Sequence, residues 1–147
     1  MATEPARRFT IRRADWAQDG DALRAVRRTV FIVEQGIPED MEWDEFDLIC
    51  PHALAVAASG TPIGCGRLLP DGHVGRLAVL SAWRDGGVGG ALRCELMDLA
   101  RAQGHARVLL NSQTQAIPFY ARHGFIAVGD EFMEAGIAHQ GMARDLD

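Results

Sequence analysis

The sequence predicts an α/β domain with a mixed sheet, and three observations carry that expectation. Strand-like apolar segments alternate with amphipathic helical ones along the 147 residues. One helix stands between two strand-like segments, "HVGRLAVL" and "ARVLLNS", and reads as a crossover joining parallel strands. No repeat, low-complexity tract or linker divides the chain, and its length suits one core, so a single domain over 1–147 is expected.

Each element has its own local reason. "RFTIRRA" alternates and reads as a first strand. "DGDALRAVRRTVFIVEQ" follows as a helix, with Asp19 or Asp21 as N-cap and Leu23, Val26, Val30 and Val33 at helical spacing. Gly36 and Pro38 open a loop, "GIPEDMEWDEFD". "HALAVAASGTPIGCGRLL" reads as two strands around a turn at Ser59–Pro62, and "HVGRLAVL" as a third after Pro70-Asp71-Gly72. A glycine-led helix with Leu92, Leu96 and Leu99 on one face comes next, then the strand "ARVLLNS". "QAIPFYARHG" is a short helix that tolerates Pro118 in its first turn and ends at Gly124. "FIAVGD" and "HQGMARDL" are the closing strands.

Composition narrows the function classes. Apolar residues are 48% and charged residues 24%, ordinary for a globular protein. No apolar run reaches the roughly 20 residues of a membrane span, and "MATEPARRFTIRRADW" lacks the apolar stretch of a secretory signal. A cytoplasmic location, with no membrane partner, is the expectation. The formal net charge of −5 disfavours nucleic acid as a partner. All fifteen basic residues are arginine, which excludes Schiff-base chemistry and a P-loop lysine. Cys50, Cys65 and Cys94 show no CxxC spacing and read as reduced thiols packed as small apolar residues. No Cys/His cluster has zinc spacing, so no metal is expected.

The stretch "AVLSAWRDGGVGGALRCELMDLA" holds Gly86, Gly87, Gly89 and Gly90 where a helix begins. Glycine costs a helix about 1 kcal/mol relative to alanine. A chain reversal explains one or two of them, not four. A dinucleotide fingerprint needs Gly or Ala at position 92, where Leu92 stands, and a P-loop needs a terminal GK[ST] that is absent. The remaining reading is phosphate binding. The first turn of a helix carries unpaired N–H donors and partial positive charge, which bare glycines let an anion approach, and Arg84 adds a cation.

Arg84-Asp85-Gly86-Gly87-Val88-Gly89, after the strand Leu77-Ala78-Val79, resembles the acyl-CoA motif of the GNAT superfamily of N-acetyltransferases. "VFIVEQGIPED", "LNSQTQAIPFYARHGF" and "EAGIAHQGM" resemble its ElaA/YjcF-like branch. The resemblance covers nearly the whole chain. It implies a mixed, mostly antiparallel central sheet with flanking helices and a parallel pair at a CoA-binding cleft. It implies acetyl-CoA as co-substrate, its pyrophosphate on Arg84 to Gly90 and its pantetheine arm paired with the backbone of Leu77, Ala78 and Val79. Asn111, Gln113, Phe119 and Tyr120 complete the implied donor contacts. Gln113 stands where many members carry Asn.

Acetyl transfer to an amine needs a proton acceptor, a polarised carbonyl, fixed reactants and protonation of the departing thiolate. The resemblance places the general acid on Tyr120, the chain's one tyrosine; the plain alternative is a packed aromatic beside Phe119. Many members carry a glutamate base on the strand that here reads Val108-Leu109-Leu110. Candidate bases are instead Glu34, Glu42, Glu134 and His139, each with an equally available structural role. Direct attack is favoured over an acyl-enzyme, because neither Cys65 nor Cys94 has an activating partner in view.

The loop "EDMEWDEFD" reads either as a solvated acidic face or as an acidic mouth that attracts a cationic amine. The family fold borders the acceptor site with this region, so Phe31, Glu34, Glu42 and Asp44 are the expected acceptor contacts. The acceptor is a small-molecule or peptide amine, and dimers are common on this fold, so a homodimer is among the assemblies the resemblance allows. Two rival functions remain: a non-catalytic CoA-binding sensor or interaction module, and an acyltransferase using another donor, like an acyl-homoserine lactone synthase.

Overall fold

The computed structural model describes residues 8–146. Strands β1 (Phe9–Ala14), β2 (His52–Ala57), β3 (Pro62–Leu68) and β4 (Val74–Val79) form one antiparallel sheet in that order. In the second sheet β5 (Arg107–Gln113) pairs with β8 (Ile137–Asp145), which also pairs with β6 (Ile126–Ala127) and β7 (Phe132–Glu134). The chain thus closes on three strands, not the two expected. Ala135 and Gly136, both at positive φ, turn β7 back into β8, a hairpin signal hidden in "EAGI".

β4 and β5 run parallel but meet through a single bridge, His73 to Leu109. The Leu109 N–H donates to the Gly72 carbonyl at 3.0 Å there. No ladder joins the two strands beyond that point, so the expected parallel pair touches only at its base. Two antiparallel half-sheets therefore part along β4 and β5, and one edge of each backbone is left open.

Helices cover both faces of the first sheet. Helix α1 (Trp16–Arg27) buries Leu23 and Val26 against Leu54, Cys65 and Ala78. It starts earlier than Asp19 or Asp21 would place it. Asp15 is the N-cap: its carboxylate accepts from the Gln18 N–H at 2.7 Å. Asp19 instead accepts from the Asp15 N–H at 3.1 Å and pairs with Arg12 at 2.8 Å. After Arg27 the helix widens into a π-helical segment, Arg28–Glu34, closed by Gln35 N–H to Val30 O at 3.1 Å.

On the opposite face lies α3 (Val88–Ala102), with Leu92, Leu96 and Leu99 in the main core beside Ala53, Ala55 and Ile63. Its approach is close because β3 carries Gly64 and Gly66. A Cβ at Gly66 would stand 2.7 Å from a Leu96 methyl and 2.8 Å from one of Leu77. This fit presses the start of α3 against β4. Helix α4 (Ile117–Ala121), with Pro118 in its first turn, follows β5 and carries Tyr120.

The presumed loop 36–47 is folded. It contains the single turn α2 (Glu39–Glu42) and a 3-10 turn, Glu45–Leu48, capped by Asp44. Arg27 is 1% exposed and holds it down. Its Nε donates to Glu42 at 2.8 Å, one terminal nitrogen to Asp47 at 2.6 Å and the other to the Glu42 carbonyl at 2.6 Å. Arg67 from β3 binds both oxygens of Asp44, at 2.6 and 2.7 Å, and also Asp47 at 2.8 Å. Arg76 from β4 stands 3.2 Å from Glu42. Trp16 and Trp43 cover Arg27, with ring centres 5.3 and 5.1 Å from its guanidinium.

Removing one partner from such a network strands buried charge, so Arg27→Met is expected to lose about 3–5 kcal/mol of stability in denaturant unfolding. A loss under about 1 kcal/mol would show the network to be dispensable. The hydrogen bonds from Arg67 hold the Asp44 carboxyl below its ordinary range. Burial pushes Asp47 up, but Arg27 and Arg67 more than offset it, leaving Asp47 lowered too. Their stabilisation is present above the ordinary carboxylate value of about 4 and fades as pH falls through their lower folded values. Asp44→Asn is therefore expected to flatten the loss of thermal stability below about pH 4.

Candidate active site

The gap between the half-sheets is a cleft of about 660 Å³. Its floor is the diverging pair: Val74 to Leu77 from β4, and Leu110 to Gln113 from β5. The π-helical segment and folded loop supply Phe31, Gln35, Glu42 and Asp44 on one side. Across from them stand Tyr120 of α4 and Glu134 and His139 of the β7–β8 hairpin.

β4 is distorted where it faces this space. Its register against β3 slips between Cys65 and Arg67, so Gly75 and Ala78 pair across while Arg76 and Leu77 do not. Arg76 takes φ +50°, rare for a residue with a side chain. Such a bulge turns backbone groups out of the ladder and toward the cleft. Arg76 and Leu77 therefore have no register partner on β3.

The glycine stretch opens α3 one turn ahead of Arg93, which lines the cleft. Gly87, at φ +91°, is the N-cap of α3, and no side chain caps the first turn. The Ala91 N–H is the first to bond back, to Gly87 O at 3.0 Å, so the N–H groups of Val88, Gly89 and Gly90 remain as donors. Only Gly87 is required by the backbone. A Cβ at Gly86 or Gly89 would meet nothing nearer than 3.7 Å, and at Gly90 nothing nearer than 4.0 Å. The protein's own packing does not demand these glycines; they leave the outer surface of the first turn bare, which suits close approach by an anion.

Two titratable side chains of the cleft have defined surroundings. His139 is nearly buried, and its Nδ1 lies 2.8 Å from the Ile137 carbonyl. A carbonyl only accepts, so Nδ1 carries a proton and donates it there. Nε2 stands 3.7 Å from Glu134, and Phe132 stacks on the ring at 5.8 Å. Tyr120 packs edge-on to Phe119 and Phe125 and also lines the cleft, so the packed and cleft-facing roles coexist. Burial raises its hydroxyl above the ordinary range, with Arg93 opposing, so the phenol stays protonated at neutral pH.

The family model for the acetyltransferase (GNAT) domain matches residues 33–146. The chain belongs to the GNAT acetyltransferases. It is 39% identical over 124 residues to the N-acetyltransferase YjcF of Bacillus subtilis, covering 82% of this chain and 88% of that protein. An acyl-CoA N-acyltransferase from Pseudomonas aeruginosa superposes with a TM-score of 0.82 at 30% identity, over 93% of this chain and 99% of that one. Escherichia coli ElaA does so at 0.82 and 27%, over 94% and 100%. The protein is thus an N-acyltransferase of the ElaA/YjcF-like branch, with the mixed sheet and flanking helices of that fold.

Within this GNAT frame the expected site residues separate. Phe31, Glu42, Asp44, Leu77, Asn111, Gln113, Tyr120 and His139 line one cleft. Ala78 is buried behind β4, and Val79 gives its carbonyl to Arg84 Nε at 2.9 Å. Phe119 is part-exposed on α4 outside the cleft wall. Glu34 is drawn to the surface by Arg84 at 2.6 Å, which holds its carboxyl below the ordinary range. A carboxylate so held is a weak proton acceptor. Asp85, at φ +65°, turns the chain ahead of the glycines.

Within the acidic loop, Glu42, Asp44 and Asp47 are clamped by Arg27, Arg67 and Arg76. Glu42 remains distinctive: it is 1% exposed, burial raises its carboxyl above the ordinary range, and its Oε1 has no hydrogen-bond partner. Cys94 is exposed, contrary to the expectation of a packed thiol. Among the described residues no helix is long and apolar enough to cross a membrane, and no His, Cys, Asp and Glu cluster is arranged for a metal.

If packing is indifferent to the bare first turn, Gly90→Ala should fold at least as stably as the parent and gain up to about 1 kcal/mol in thermal unfolding. A marked destabilisation would mean that the glycine serves the fold itself.

Proposed function

We propose that the protein transfers the acetyl group of acetyl-CoA to the primary amine of a small molecule or peptide, in the cytoplasm, by direct attack within a ternary complex. One observation carries this reading: a protonated phenol, Tyr120, and an imidazole whose Nδ1 is held by a carbonyl, His139, line the same cleft between β4 and β5. The uncapped start of α3, one turn ahead of the cleft-lining Arg93, suits a pyrophosphate. The name of the Pseudomonas relative records an acyl-CoA as its donor.

In this mechanism the acceptor ammonium binds in the cleft beside the wall that Glu42 and Asp44 line. The ammonium first loses one proton to solvent; His139 Nε2 takes the second from the nitrogen as the new N–C bond forms, and Glu134 supports the imidazolium that results. The amine nitrogen bonds to the thioester carbon, and backbone N–H groups of the β4 bulge steady the developing oxyanion. The carbon–sulfur bond breaks, and Tyr120 gives its proton to the thiolate. The products are the N-acetylated amine and CoA thiol, and the proton on His139 restores Tyr120 through solvent. Burial pushes the Cys50 and Cys65 thiols up to about 11 and 12, which leaves neither ready as a nucleophile.

Tyr120→Phe is expected to lower kcat about a hundredfold or more in a free-thiol release assay across an amine panel, while CoA affinity stays within about twofold. His139→Ala should cost a similar factor, and Cys94→Ala should turn over normally. Loss of turnover in Cys94→Ala with CoA binding intact would establish a covalent route. Silence of the parent protein across the panel, with CoA still bound, would favour a sensor.

A further inference from the structure

Arg93 is 5% exposed, and neither its Nε nor one of its terminal nitrogens has a hydrogen-bond partner. No carboxylate pairs with it among the described residues. Its guanidinium sits 5.4 Å over the Phe119 ring, in the passage between α3 and α4, and the residue lines the cleft. Helical side chains lean toward the helix N-terminus. Accordingly its other terminal nitrogen reaches to 4.0 Å from where a Gly90 Cβ would stand. A buried guanidinium without an anion is costly, because desolvation is not offset. It stands beside the uncapped donors of Val88, Gly89 and Gly90.

Arg84, the cation expected from the motif, is otherwise engaged. Its Nε donates to Val79 O, and both terminal nitrogens bind Glu34, at 2.6 and 3.0 Å. We propose that Arg93, not Arg84, is the principal cation for the donor's pyrophosphate, completing an anion site with the first turn of α3. The assignment rests on the acetyl-CoA reading above. It also explains why a buried guanidinium persists beside Phe119 with two nitrogens unpartnered: the site is built around an anion that arrives with the substrate.

The test pairs Arg93→Met and Arg84→Met with a conservative Arg93→Lys, each titrated calorimetrically with CoA and assayed with acetyl-pantetheine, which has the thioester but no phosphate. Arg93→Met should weaken CoA about tenfold or more, with Arg93→Lys recovering much of it, while Arg84→Met changes it less than about threefold. KM for acetyl-pantetheine should not move in Arg93→Met. Without ligand, Arg93→Met should unfold at an equal or higher temperature, since it removes an unpaired buried charge. CoA affinity within twofold of the parent, a larger loss in Arg84→Met, or an equal loss for acetyl-pantetheine would overturn the assignment. A folded parent that binds no CoA would instead overturn the donor reading on which it rests.

Discussion

One wall of the cleft depends on one buried guanidinium. Arg27 leaves the last turn of α1 and binds Glu42 and Asp47, tying a highly charged segment onto the sheet. Arg67 and Arg76 reach the same carboxylates from β3 and β4. Without those cations the segment 36–48 could not pack, because three carboxylates would be close together in a low dielectric. With them, Phe31, Glu42 and Asp44 become a fixed wall of the cleft. The same clamp sets the bulged backbone at Arg76, since that side chain must leave β4 to reach Glu42.

The start of α3 is shaped by the opposite device, the removal of side chains. Gly64 and Gly66 let α3 lie close on β3, and Gly86, Gly89 and Gly90 leave the outside of its first turn bare. The helix gives up local propensity at its start and keeps three N–H donors unsatisfied. Its other face is secured by Leu92, Leu96 and Leu99, so the cost in local stability is borne by tertiary packing. The bare first turn of α3 and the clamped segment that supplies Glu42 and Asp44 to the cleft are thus built by opposite means.

Much of this was legible from residues alone. Strand alternation and the leucine face of α3 located the core, and the glycines marked the bare, uncapped start of α3. The clamp was harder to see, although a signal existed: Arg27 falls within the apolar stripe of Leu23, Val26 and Val30, where a charge must find buried partners. Its partners lie fifteen and twenty residues on, in a segment whose acidity suggested solvent. The N-cap was misplaced because Asp15, Asp19 and Asp21 all suit that role locally, and only the Arg12–Asp19 pair distinguishes them. Arg93 gave no sequence signal, since an arginine on a helix is usually solvated and its burial arises from Phe119 on a different element.

The central claim is that donor and acceptor occupy the cleft together and react without a covalent intermediate. Initial rates of thiol release, with acetyl-CoA and an accepted amine varied against each other, test it most directly. Double-reciprocal lines that intersect are the expected result, as a ternary complex requires. Parallel lines, the mark of an acetylated enzyme released from CoA before the amine binds, would contradict the account.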